Sequence, residues 1–285
     1  MINSFLRFKT KNVSSSVIKL EDIKKSKKIL FALFTRYGDT IIDLVVIREF
    51  VEQYPSKDYL ILCPNQMKPY VNELMPNIKC ISLNKRNWIN LLNIDFILKE
   101  WSPDIGFNPW SNGIESGYFL SYCKKFLLYS DYKKPKKVNH YEIVRQYLKL
   151  KEKVWKVNSF VGQKKYNKAL ICPESTDSNR SISNEQLDQI IIKIRSEFDC
   201  KNISIASMSI DYVREGCDFF KFKKTAKSSS FFLKLLKDSD LVVCADSAPL
   251  HISNALKKDV IAFFNYTSPE IVINSGDKLF LLRND

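Results

Sequence analysis

The chain has 285 residues, enough for one large domain or two medium ones, and its 45% hydrophobic and 13% aromatic content supports a substantial packed core. Only seven glycines are present, which argues against a glycine-rich phosphate cradle of the P-loop or dinucleotide-binding kind. Forty-five Lys+Arg against 31 Asp+Glu leave a net charge of +14. That surplus implies polyanionic company (nucleic acid, an anionic membrane surface or phosphorylated substrates), or else only a lysine-rich surface from a compositionally biased genome.

The seven cysteines, at 63, 80, 123, 172, 200, 217 and 244, are scattered and contain no CxxC pair. They read as small buried hydrophobes in a reducing compartment, with neither a zinc site nor a disulfide framework expected. The N-terminus lacks the apolar core of a signal peptide, and no stretch reaches the roughly 18 apolar residues that span a bilayer. The expectation is a cytoplasmic protein, one able to rest on the inner face of a membrane.

Residues 1–26 read as polar and irregular. "KKILFALF" then gives an apolar run over 29–34, as expected of a central parallel strand covered on both faces. "TRYGDT" breaks it, and "IIDLVVIREFVEQY" continues with helical spacing to Pro55. Strands are expected at 58–63, 78–83 and 104–108, with helices over 66–75 and 88–101 between them. The middle is less regular, with a further strand at "FLLYS" (126–130), the basic "DYKKPKK" and a charged helix near 140–156.

A boundary is expected within 157–167, giving domains of 1–160 and 161–285. The pattern then restarts: strand 168–172, polar loop "PESTDSNRSIS", helix 184–198, strand 202–207, helix 228–239, strand 240–245, helix 248–256 and strand 260–264. Strand–helix alternation implies right-handed crossovers and mainly parallel sheets. Two open α/β sheets in tandem follow, and ligands gather at the carboxyl ends of such strands, with a natural cleft between two of them.

Three loops stand at those strand ends: "TRYGDT", "CPESTDSNR" and "ADSAPLH". In the last, Ser247 suits a helix N-cap and Pro249 a first helical turn. The free amides of that turn and the positive end of the helix dipole make an anion site without glycine. His251, one of two histidines, lies within reach of the same anion or of the neighbouring loop. The plainer alternative is an ordinary Asp-Ser cap with an internal hydrogen-bonding histidine, and Asp39 reads equally as a helix cap.

Taken together these stretches resemble glycosyltransferase family 9, the heptosyltransferase family. "ILFALFTRYGDTIIDLVVIREFVEQYPSKDYLILC" resembles that family's opening strand, Gly-Asp turn and helix. "LVVCADSAPLHISNALKKDVIAFFNYTSPE" is similar to its Asp-Ser-x-x-x-His segment, and "LICPESTDSNRSISNEQLDQI" to its strand, turn, basic residue and helix. Here Glu174 stands where the family has glycine, and Arg180 is what remains of a longer basic signature.

The resemblance implies an α/β GT-B fold, two Rossmann-like parallel-sheet domains facing across a cleft. It implies inverting transfer with no metal and no cofactor, the nucleoside-diphosphate sugar, ADP-linked by preference, being a co-substrate. Asp39 is then the base, on an acceptor loop with Thr35 and Gly38. Ser175, Thr176, Arg180, Asp246, Ser247, Ala248 and His251 serve the nucleotide-sugar, and residues 207–212 are the region in which to seek contacts to its base. Asp246, an acid beside a diphosphate, is assigned to holding the loop or bonding a hydroxyl. The partner is an anionic glycolipid or saccharide of lipopolysaccharide type.

On this reading the lysine runs 24–28 and 133–137 either hold a lipid-linked acceptor or an anionic membrane, or are merely solvated. The alternatives are another GT-B enzyme of capsule or glycan synthesis, a degenerate non-catalytic member, or a basic nucleic-acid binder. The last lacks any recognisable module and has its charge spread along the chain, so no nucleic-acid partner is expected.

Overall fold

A computed structural model describes residues 2–10, 14–111, 113–132, 138–153, 158–159, 165–209, 211–275 and 277–283. The chain divides into two compact units, Met1–Glu152 and Lys153–Asp285. In the first, chain order is α1 (Ile2–Thr10), α2 (Leu20–Lys25), β1 (Lys28–Ala32), α3 (Tyr37–Gln53), β2 (Asp58–Pro64), α4 (Lys68–Leu74), β3 (Lys79–Leu83), α5 (Trp88–Trp101), β4 (Ile105–Asn108), α6 (Ile114–Leu120), β5 (Lys125–Leu128) and α7 (His140–Tyr147). The second runs β6 (Asn158–Ser159), β7 (Lys168–Cys172), α8 (Asn184–Glu197), β8 (Asn202–Ser207), β9 (Cys217–Lys221), α9 (Ala226–Asp238), β10 (Leu241–Ala245), α10 (Ala248–Ala255), β11 (Asp259–Phe264), α11 (Pro269–Val272) and β12 (Lys278–Arg283).

Every strand pair is parallel, as the apolar runs require. The sheet orders are β3-β2-β1-β4-β5 and β6-β12-β11-β10-β7-β8-β9. In each sheet the strand order reverses beside the unit's first long strand, between β1 and β4 and between β7 and β10. These are the topological switch points, where the loops at the carboxyl ends diverge and leave room for a ligand. β1 from Ile29 onward and all of β10 are buried, so both switch points rest on rigid central strands.

Three sequence expectations are corrected. Residues 1–26 are not irregular throughout: α1 and α2 are helical, and α1 buries Ile2 and Leu6, four apart on one face, in the core formed with α5 and α6. The helix expected over 140–156 ends at Tyr147, and Lys149 takes a left-handed φ of 60° that helical propagation does not tolerate. Gly38 is not a separate tight turn but the second residue of α3, with Arg36 at its N-cap. The basic run 133–137, residues 154–156 and most of 157–164 lie outside the described residues.

Gly106 does have a steric reason. A Cβ there would lie 2.5 Å from Cys123 Sγ and 2.5 Å from Leu120 Cδ2, so α6 and the turn after it can close on β4 only over glycine. The seven cysteines are all free thiols, five of them buried.

Arg145 of α7 is 0% exposed and anchors that helix to α3. It donates to both oxygens of Glu49, at 2.8 and 2.7 Å, and also to Glu142. Removing one partner of such a buried pair strands charge in a dry setting. Arg145→Leu is therefore expected to cost about 3–5 kcal/mol in urea unfolding, and Arg145→Leu/Glu49→Leu/Glu142→Leu to recover most of it. Equal losses in the single and triple variants would contradict this account of the anchor.

Candidate functional site

In the first unit the loop after β1 is held from the β4 side. Ser111 Oγ donates to the Phe34 carbonyl at 3.1 Å and Ser116 Oγ to the Ala32 carbonyl at 3.1 Å. Thr35 then starts the turn, and its hydroxyl meets Asp39 Oδ2 at 3.5 Å. Asp39 lies in the first turn of α3 and is half-buried, at the carboxyl end of β1. Gly38 is likewise half-buried there, so the structure brings all three expected acceptor-loop residues to one strand end.

One helical turn below Asp39 on the same face of α3 lies Asp43, 0% exposed. Neither of its carboxyl oxygens has a hydrogen-bond partner among the described residues. Burial, and secondarily Asp39, hold its pKa well above the usual carboxylate range, which favours the protonated form. Burial first, and then Asp43 and Asp39, also push the Tyr129 phenol above its ordinary value.

Sequence reasoning missed the aromatic wall of this site. Asn108, buried at the end of β4, accepts from the Tyr129 amide at 2.9 Å and donates to the Ser111 carbonyl at 2.6 Å. Its backbone amide donates to the Tyr147 hydroxyl at 3.0 Å. Trp110, at a left-handed φ of 49°, packs between Tyr129 (ring centroids 5.2 Å apart) and His140 (4.7 Å). The available signal was "NPWSNG" directly after the fourth strand, a turn-rich stretch at a strand's carboxyl end.

In the second unit, Asp246 ends β10 with 2% exposure. Its carboxylate accepts from Arg180 Nη1 at 3.3 Å, and its backbone carbonyl accepts from Ser175 Oγ at 3.1 Å. Arg180 sits in the loop after β7, the neighbouring strand, so one ion pair joins the two sides of the switch point. The Ser175 amide donates to Ser181 Oγ at 3.0 Å, closing that loop on itself.

Ser247 occupies the N-cap of α10 but does not cap it. Its hydroxyl donates to the Ala245 carbonyl at 3.4 Å, and no side chain caps the helix. Ser247 and Ala248 remain half-buried, so the positive end of α10 is open beside Arg180. His251, by contrast, is 5% exposed and faces inward, and Thr176 is exposed with no role in the ion-pair cluster.

Glu174 closes the loop after β8: it accepts from Ser207 Oγ (2.7 Å), the Met208 amide (2.6 Å) and the Ser209 amide (3.1 Å). The carboxylate that replaces the family's glycine thus has three donors. The basic run at 24–28 lies at the amino end of β1, the end opposite Thr35 and Asp39, which removes it from the acceptor loop. Among the described residues no helix is long and apolar enough to cross a membrane.

The family model "Glycosyltransferase family 9 (heptosyltransferase)" matches residues 230–283, which include Asp246, Ser247 and all of α10. No curated protein matches the chain in sequence. Solved structures do match in fold. The E. coli heptosyltransferase WaaC with ADP is 11% identical with a TM-score of 0.65, covering 90% of this chain and 93% of that one. The glycosyltransferase family 9 protein of Veillonella parvula gives 12% and 0.63 over 90% and 86%. The E. coli ADP-heptose LPS heptosyltransferase II gives 13% and 0.52 over 89% and 92%.

Asp43 makes a pH-dependent prediction of its own. Its carboxyl keeps a proton that the unfolded chain releases above about pH 4, so it costs stability as pH rises, by about 1.4 kcal/mol for each pH unit of raised pKa. Asp43→Asn removes this term and should raise Tm more at pH 8 than at pH 5 in calorimetry. A gain that is equal at the two pH values would show that the proton linkage is absent.

Over about nine-tenths of its length the chain thus shares the fold of heptosyltransferase and family 9 structures, and over residues 230–283 its sequence resembles glycosyltransferase family 9.

Proposed function

We propose that the chain is a glycosyltransferase that moves a heptose or similar sugar from a nucleoside-diphosphate donor, ADP-linked by preference, to a lipopolysaccharide-type saccharide or glycolipid at the inner face of the membrane. The observation that carries this reading is the open N-terminus of α10 with Arg180 fixed beside it by buried Asp246. Backbone amides, a helix dipole and a guanidinium there converge on one spot at the switch point, an arrangement suited to a diphosphate. The E. coli heptosyltransferase WaaC was solved with ADP and with ADP-2-deoxy-2-fluoro heptose, which supports an adenine nucleotide as the first donor to test.

In this reading the second unit holds the donor and the first unit the acceptor. Asp39 takes the proton of the acceptor hydroxyl as that oxygen bonds to C1 of the sugar. The bond from C1 to the diphosphate oxygen breaks on the opposite face, so the anomeric centre inverts. The nucleoside diphosphate leaves with its electron pair, and Arg180 with the Ser247 and Ala248 amides meets the charge that develops. Burial disfavours a charge on Asp43, so this reading takes half-buried Asp39 as the base at this end of α3. Trp110 and His140 supply a ring surface for the acceptor sugar.

Ser175 acts through the Asp246 carbonyl, and His251 through packing inside α10. Thr176, exposed on the same loop, is left for contacts to the donor's outer parts. Positive charge from Arg180 and the helix end lets the transfer proceed without a resident metal, so EDTA should leave the rate unchanged, and loss of activity restored by a divalent cation would refute that part.

Donor binding is tested by thermal shift against ADP, UDP, GDP, CMP and their sugars. One nucleoside diphosphate at 100-fold excess over its Kd should add about 2.7 kcal/mol of stability. Arg180→Ala and Asp246→Ala should each abolish that gain. Absence of a shift with every nucleotide, or an undiminished shift in both variants, would overturn the donor-site assignment.

A further inference from the structure

α5 is apolar on both faces. Its inner side puts Leu91, Ile94 and Leu98 into the core of the first unit, and Asp95 there accepts from the Tyr118 hydroxyl at 2.7 Å. Its outer side carries Ile89 (70% exposed), Leu92 (61%) and Phe96 (66%), spaced three and four apart on one face. A helix this apolar outside as well as inside belongs against a second apolar phase, not bulk water.

α1 extends the same surface. Phe5 meets Trp88 with ring centroids 5.5 Å apart, which sets α1 alongside the start of α5. Phe8, one turn further along, is 77% exposed, and Trp88 is partly exposed. These two helices carry five of the twelve large apolar side chains exposed among the described residues, Phe8, Trp88, Ile89, Leu92 and Phe96.

The charges around this surface select its occupant. Arg7, Lys9, Lys85, Arg86 and Lys99 are exposed on α1, on α5 and in the turn before α5. Lys85 pairs with Glu115, and Glu100 is the exposed acid of α5; Asp95 is buried. A stripe of Trp, Phe, Leu and Ile with a basic margin is the composition of an interfacial helix on anionic lipid. A protein partner with an apolar face would not need the basic margin.

We infer that the outer face of α5 with α1 docks the protein on an anionic lipid bilayer. α5 begins just after the carboxyl end of β3, so its Trp88 end lies at the same side of the sheet as the Thr35–Asp39 turn. The Lys85–Glu115 pair joins the turn before α5 to α6, beside Gly113, where an added Cβ would lie 3.1 Å from the Phe34 carbonyl at the start of the Thr35–Asp39 turn. A lipid-linked acceptor could then reach the acceptor loop without leaving the bilayer. This last step rests on the proposed glycosyl transfer, whereas the docking does not.

The test is co-sedimentation of the full chain with vesicles of phosphatidylcholine alone or with phosphatidylglycerol, in the absence of nucleotide and acceptor. The chain should bind the anionic vesicles and leave the neutral ones. Ile89→Ser/Leu92→Ser/Phe96→Ser should weaken that binding at least about tenfold. Arg7→Glu/Lys9→Glu/Lys99→Glu should do the same while leaving every core side chain in place. Nucleotide stabilisation should be unchanged in both variants, so failure of docking and failure of the donor reading are read separately. Binding that survives in both variants, or no binding of the unaltered chain to either vesicle, overturns the inference. A dimer in size exclusion that the serine variant dissolves, without vesicle binding, overturns it in favour of a second copy of this chain on the face.

Discussion

The second unit's site depends on one buried carboxylate. Asp246 ends the central strand β10 with almost no solvent contact, and a charge in that position requires a partner. Arg180, from the loop after β7, provides it, so an otherwise long and polar loop gains a fixed point. The same acid offers its backbone carbonyl to Ser175, which adds a second tie to that loop. The cation at the open end of α10 is therefore oriented before any ligand arrives. Preorganisation of this kind makes a charged group effective toward a leaving group, since no reorientation is required at the moment of reaction.

The first unit places two acids in opposite environments. Asp39 and Asp43 share one face of α3, a turn apart, yet one sits at the strand end and the other in a dry interior. Environment separates them: Asp39 is half-buried at the strand end, whereas burial holds the Asp43 pKa well above the usual carboxylate range. The rings of Trp110, Tyr129 and His140 pack together, with Asn108 bonded to the Tyr129 amide and Arg145 tying α7, which begins at His140, to α3. The order of this ring cluster thus depends on packing well behind it.

Much of this was legible in the sequence because parallel strands covered on both faces leave unbroken apolar runs. The runs 29–34, 168–172 and 240–245 each announce a strand, and the Asp-Ser after the last announces a helix start. Other features could not be read because they depend on spatial adjacency. Arg180 and Asp246 are 66 positions apart and meet only because β7 and β10 are neighbours. α1 buries only Ile2 and Leu6, too short a stripe to reveal a period. Edge strand β9 is half-buried and carries no apolar run. Ser247 has the right residue type for a cap, but its hydroxyl turns back to the Ala245 carbonyl, which leaves the helix end open.

The central claim is that an acid at the first unit's strand end drives transfer from a nucleotide bound by the second. The most direct measurement is acceptor-dependent release of nucleoside diphosphate by the unaltered chain and by Asp39→Asn, with donor affinity measured on both. The account predicts unchanged donor Kd and a kcat lower by roughly 10² to 10⁴ in the variant, the range typical of a lost general base. A variant that transfers as fast as the unaltered chain would contradict it.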